Sequence, residues 1–185
     1  MLSLVVAVVL SAEPVVVVAP FEVMSEAAAD ENLGRAIQSL VEADLKTAGV
    51  LLRTEDDLDA KNWGKIKGAT YLVVGSIMKL PGKVKIGARL IALPNTLVAS
   101  ASTDVLPLGE WNGRQRITQV VLKELKKPVP AALDEIHVED ALVRAWGDAL
   151  RALHDGDPAA AKQKIADVVK KWPSFSPAKE RLAQL

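Results

Sequence analysis

The sequence has no cysteine at all, which excludes disulfides, thiolate metal sites and a cysteine nucleophile. It also excludes a lipidated amino-terminal cysteine, so the chain is expected to carry no lipid anchor. Aromatic residues make up only 4% of it and histidines number two. Charge of one sign is missing as well: Lys+Arg and Asp+Glu balance at 23 each, without the basic surplus of a dedicated nucleic-acid binder, and no nucleic-acid partner is expected. No apolar run reaches the ~20 residues that a membrane-spanning helix takes.

What is present fits a globular protein. Half of the 185 residues are apolar and a quarter charged, enough for one ordinary domain and a short appendage. Residues 1–12, MLSLVVAVVLSA, form an apolar run that ends in small residues before Glu13 and Pro14. That is the pattern of a secretory leader and its cleavage site, although the positive start of such a leader is missing. It points to an exported, periplasmic protein cut near Ala12.

Residues Pro14 to Val23 (PVVVVAPFEV) read as a buried strand stopped at Pro20. Leu33, Ile37, Leu40, Val41, Leu45 and Ala48 then recur every three or four positions, the apolar stripe of a helix that Gly49 ends. Val50 to Thr54 makes a second strand, which places that helix across one face of a sheet. A polar helix is expected over Asp56 to Lys67, docking through Leu58, Trp63 and Ile66. TYLVVGSIMKL, KVKIGARLIAL and TLVASASTDV follow, with Pro81-Gly82 and Pro94-Asn95 between them, and read as three antiparallel strands joined by two hairpins. In the middle one Val84, Ile86, Ala88, Leu90 and Ala92 alternate with Lys83, Lys85, Gly87, Arg89 and Ile91, so one face is expected to be wet. Glu110 to Lys126 reads as a helix whose apolar side holds Trp111, Ile117, Val120, Val121 and Leu125. The sequence thus predicts an α/β (α+β) domain over 13–126, with a mixed sheet of about five strands. A proline-bearing linker is expected at 127–137 and a carboxyl-terminal α-helical hairpin at 138–185. Pro158 falls in the first turn of the second hairpin helix, where its missing N–H costs nothing.

VVVVAPFE at Val15 to Glu22, GATYLVVGSI at Gly68 to Ile77 and KVKIGARLIALPNTLVAS at Lys83 to Ser100 carry a family resemblance, in that order. Over Val15 to Leu125 the chain resembles the amino-terminal domain of the Tol-system translocation protein and the related curli-secretion and flagellar-assembly envelope proteins. The resemblance implies a mixed α/β sheet and a non-enzymatic role in the cell envelope. It does not extend to the long membrane hairpins of the curli-secretion members, nor to a propeller. The tail resembles a single tetratricopeptide-like repeat, with Ala149, Gly156, Ala161, Ile165 and Pro173 at its small, turn and packing positions and Ala152 where an aromatic is usual. Stable arrays take about three repeats, so the hairpin is expected to pack on the main domain or against another chain.

Few residues suggest chemistry. His137 and His154 stand apart, without an acid cluster at ligand spacing. The acidic run Glu55, Asp56, Asp57 and Asp59 lacks the alternation of a calcium loop and suits a helix start. Gly68, Gly82 and Gly87 do not share one strand-to-helix turn, so no phosphate loop is formed. Glu139 and Asp140 would need an enclosed cleft to act as a catalytic pair. No cofactor, metal or catalytic residue is assigned.

The interface candidates are Trp146 and Trp172, on the reasoning that a lone hairpin has little core in which to hide them, together with Lys85 and Arg89. Lys85 and Arg89 belong to a basic strip with Lys79 and Lys83, suited to the wet side of a sheet or to peripheral contact with the envelope. The sequence therefore points to a binding or assembly protein with a protein partner, self-association included. The alternative is a small-ligand-sensing accessory domain with a pocket between sheet and helix.

Overall fold

The computed structural model describes residues 13–25, 30–53, 66–133 and 138–185. The expected leader at 1–12, most of the helix expected over 56–67, Trp63, the acidic run at 55–59 and His137 lie outside the described residues. The β-branched run of the first strand is divided by Pro20 into β1 (Val15–Val18) and β2 (Glu22–Met24). Both lie parallel to β4 (Tyr71–Leu80), with Val18 level with Val73 and Met24 level with Met78. Between them and β4 come α1 (Leu33–Thr47) and the two-residue β3 (Leu51–Leu52), parallel to β1. The unit is the expected strand, helix, strand.

Helix α1 ends where Gly49 turns to a φ of 72°. That left-handed conformation lets the N–H of Val50 reach the carbonyl of Leu45 at 3.1 Å, closing the helix end before β3. The two expected hairpins follow as β4, β5 (Lys83–Ala92) and β6 (Thr96–Ser102), antiparallel throughout, with an irregularity at Leu90/Ile91. A short β7 (Leu106–Pro107) pairs with the start of β5. The open mixed sheet has seven strands, in the order β3-β1-β4-β5-β6, with β2 on β4 and β7 on β5. It exceeds the expected five because Pro20 splits one strand and β7 adds another.

The alternation of β5 is realised: Val84, Ile86, Ala88 and Leu90 are buried, while Lys83 and Arg89 are exposed. The buried side meets α1 and α2 (Arg114–Glu124) through Ile37, Leu40, Val41, Ile117 and Val121. Trp111, expected on α2, instead occupies a 3-10 turn (Trp111–Gly113) ahead of it and is fully buried. Helices α3 (Asp140–His154) and α4 (Pro158–Lys171) form the hairpin, followed by α5 (Ser176–Ala183). Asp157 caps α4, its carboxylate accepting the N–H of Ala160 at 2.9 Å.

The hairpin packs on the outer side of α1. Val143, Trp146, Ala149, Ile165 and Phe175 share one continuous apolar cluster with α1 and the sheet, at about 1.5–3 kcal/mol for each large side chain buried. Close approach is bought by small residues. A Cβ on Gly147 would lie 2.6 Å from the carbonyl oxygen of Asn32, and one on Gly75 of β4 would overlap the ring of Phe21.

These two glycines test the packing separately. Gly75→Ala should destabilise the protein by about 1–3 kcal/mol, as overpacked cores do, read from the urea midpoint. Gly147→Ala should loosen the hairpin, so that hydrogen exchange rises in α3 and α4 more than in β4 and β5; equal rises in both would contradict this layering.

Candidate functional site

With all of α1 to α5 stacked on one side, the other face of the sheet is only partly covered by the described residues. At its upper end Val17, Ala19 and Leu72 pack with Ile66, Ala69, Val74, Ile91 and Leu93. At its lower end strand parity turns Met24, Ser76, Met78, Leu80, Lys83, Lys85 and Gly87 outward. Ten large apolar side chains are exposed among the described residues, and four of them gather at this end: Met24 (47%), Met78 (42%), Leu80 (39%) and Val105 (47%). Thr103 is hydrogen-bonded to Ile86 and Leu106 is paired with Val84, so Asp104 and Val105 together stand opposite Lys85. The N–H of Leu108 donates to the Gly82 carbonyl at 2.9 Å, holding Leu108 against the β4–β5 turn.

Lys85 and Arg89, singled out from the sequence, lie on this face, level with Met78 and Val74 respectively. Neither they nor Lys83, Glu22 and Asp104 form an ion pair among the described residues. Lys79 does not belong to the strip. It has the opposite parity, shares the helical side with Ile77, and its ammonium donates to both oxygens of Asp30 at 2.8 and 2.6 Å.

The two tryptophans have different fates. Trp146 is 1% exposed, edge-on to Phe175 with ring centroids 5.5 Å apart. Because the hairpin leans on α1, Trp146 has a core after all, and it is not presented to a partner. Trp172 is half-buried. Its indole N–H donates to Glu139 at 3.4 Å and the Lys171 ammonium lies 4.5 Å from its ring centre. It borders a shallow depression of ≈ 270 Å³ between α3 and α4, beside Ala145, Asp148, Lys164 and Val168.

Two buried charge clusters went unforeseen. Asp30, 1% exposed, accepts from Lys79, from Ser25 Oγ at 2.6 Å and from Arg144 at 2.9 Å. Arg144 also holds Asp140 at 2.7 Å, and Asp140 in turn accepts the indole N–H of Trp111 at 3.0 Å. The cluster ties β4, the approach to α1, α3 and the turn before α2 together. Burial raises the Asp30 carboxyl, but the hydrogen bonds from Lys79, Ser25 and Arg144 outweigh it and hold the group at about 2. The second cluster is Asp44 on α1 against Arg114 on α2, 3.3 Å apart and almost wholly buried. Burial pushes the Asp44 carboxyl up and the Arg114 guanidinium down, each opposed by the charge of the other. Thr118 donates to Asp44 at 3.3 Å, while Arg114 Nη2 is left without a hydrogen-bond partner. Both clusters join elements to one another. Signals for them existed: Asp44 occupies an apolar-stripe position with Ile37, Leu40 and Val41, and Arg114 one with Ile117, Thr118 and Val121. No group of three or more His, Asp or Glu able to hold a metal occurs among the described residues.

No family model matches the chain, and no curated protein matches it. Solved structures similar in fold include a PelC dodecamer from Paraburkholderia phytofirmans, 21% identical with a TM-score of 0.44, matched over 62% of this chain and 89% of that one. TolB from Acinetobacter baumannii is 14% identical with a TM-score of 0.44, over 61% of this chain but only 28% of TolB. Lipoprotein GNA1162 from Neisseria meningitidis is 14% identical with a TM-score of 0.42, over 60% of this chain and 93% of that one. A Tol-system protein is thus among the solved structures with a partial likeness to this chain.

The charge clusters make two predictions. A carboxyl lowered from 3.8 to about 2 contributes about 2 kcal/mol above pH ~4, lost as the pH falls through its folded-state value. Urea midpoints at about pH 5 and about pH 2 should therefore differ more in the wild type than in Asp30→Asn. Arg114→Ala, which strands Asp44 inside the protein, should cost about 3–5 kcal/mol, whereas Asp44→Leu with Arg114→Met should cost much less by the same equilibrium measurement.

Proposed function

We propose that this chain is a non-enzymatic binding or assembly protein of the periplasm or the envelope-facing surface, and that the lower end of its open sheet face is the binding surface. One observation carries the reading: four of the ten large apolar side chains exposed among the described residues are concentrated there, bordered by charges that form no ion pair among the described residues. Monomeric proteins scatter such residues singly, and a gathered patch marks a contact site. The apolar leader-like segment at 1–12 supports export, and the sheet-and-helix order shared with the Tol-type domains agrees with an envelope role. A ligand-sensing pocket between sheet and helix has less support, because Phe21, Ile37, Leu40 and Ile77 fill that space.

A photo-crosslinking residue at position 78, introduced in cells, tests the surface directly. It should yield protein adducts in periplasmic or envelope fractions, with intact mass giving a mature start at Glu13, while the same residue at position 185 should give none. Adducts equal at both positions, or none at position 78 in any fraction, would count against this face. A turnover abolished by changing one acidic residue would remove the non-enzymatic reading.

A further inference from the structure

The geometry points to a second copy of this chain as the occupant of the patch, in a two-fold, face-to-face dimer; this rests on the open face being the binding surface. The argument starts from the layout across β2, β4 and β5. Met24 and Met78 are register partners, and Lys85 is level with Met78 on the other side. Glu22 stands level with Ser76, one outward-facing position along from Met78. The patch is therefore apolar in the middle, with Glu22 on its β2 side and Lys83, Lys85 and Arg89 along β5, Asp104 lying beyond them at the edge.

A two-fold axis running along β4 at Met78 converts that layout into self-complementarity. It lays β2 of one copy over β5 of the other, so each Glu22 comes over Gly87 of its counterpart, with Lys85 and Arg89 one outward position to either side, while Met78 meets Met78. Sheets packed face to face in this aligned way make ordinary sandwich contacts about 10 Å apart, and a two-fold interface requires such a self-matching surface. The edges at this end do not obstruct the approach, since β2 and β7 have three and two residues.

Other occupants fit less well. An anionic lipid surface would call for cations alone, yet Glu22 and Asp104 share the face with Lys83, Lys85 and Arg89. A glycan or a single-stranded nucleic acid is held largely by stacking on aromatic rings, and the outward residues of β2, β4 and β5 here include none. A balanced chain, with 23 charges of each sign, also meets no net repulsion from its own copy.

Sedimentation equilibrium of the purified chain across a concentration series tests this. A reversible dimer is expected. Met78→Lys should weaken it about tenfold or more, as loss of a central contact does, with an unchanged urea midpoint showing that the fold is intact. Lys85→Glu and Glu22→Lys should each weaken it, and both together in one chain should recover part of the affinity, because the swap restores one opposite-charge neighbour for residue 22 on each side of the axis. A strictly monomeric chain up to about millimolar concentration would overturn the proposal, as would a dimer indifferent to all three changes, or anionic vesicles binding this face in place of a dimer. A monomer whose residue 78 still crosslinks to a different protein in cells removes only the second copy. A monomer with no adduct at residue 78 removes the binding surface as well.

Discussion

The burial of α1 on two sides at once constrains the rest of the molecule. Ile37, Leu40 and Val41 belong to the core shared with the sheet, while the contacts of α1 with α3 and α5 occupy its outer side. A helix usually has one apolar stripe and one wet face. Here the wet face is given up to the hairpin, so every described helix after α1 is stacked on the same side of the sheet. The opposite face receives no helix among the described residues, and the strand alternation leaves Met24, Met78 and Leu80 in water. The exposed patch is in this sense a consequence of where the hairpin went.

Such stacking brings polar groups into an apolar setting, where they need partners. Asp30 gathers Lys79, Ser25 and Arg144 around one carboxylate, and its lowered pKa shows the hydrogen bonds outweighing desolvation. Asp44 and Arg114 are balanced less well: both are shifted toward neutrality by burial, and one guanidinium nitrogen lacks a partner. A pair of this kind adds little net stability over an apolar replacement, but it resists any arrangement that separates its members. The better satisfied cluster fixes the hairpin to the sheet, and the poorer one fixes α1 against α2.

Local pattern accounts for what the sequence revealed. The period-two alternation from Lys83 to Ala92, the stripe from Leu33 to Leu45 and the glycine stops at 49 and 156 each depend on a few neighbouring residues, and each appears in the structure. Long-range choices were not legible in the same way. Arg144 and Asp30 are 114 positions apart, and nothing near either names the other. Lys79 was grouped with Lys83, Lys85 and Arg89 by composition, although its parity with Ile77 already set it on the helical side. A hairpin has too little core of its own to hide Trp146, and nothing in its sequence says which surface it packs on; the outer side of α1 supplies the missing core. The basic strip was legible, but the apolar patch beside it was not. It is assembled from β2, β4 and the β7 region, which only the register brings together.

That origin bears on how the patch can be used. A surface made by strand register is flat and stiff, because each side chain is fixed to a hydrogen-bonded ladder and cannot move without it. It cannot wrap an irregular ligand, and it loses little order on meeting another flat surface. The hairpin groove beside Trp172 is of a different kind: its walls are two helices, and much of its polar lining is already engaged, Trp172 with Glu139 and Lys171, Asp148 with Asn32 and Asp167 with Gln163. Of the two surfaces, the sheet face has charges without ion pairs among the described residues and apolar residues in water, so contact there gains the most from excluding solvent. The stacking that hides Trp146 and the interactions that occupy Trp172 leave Lys85 and Arg89, of the four residues first singled out, beside that face.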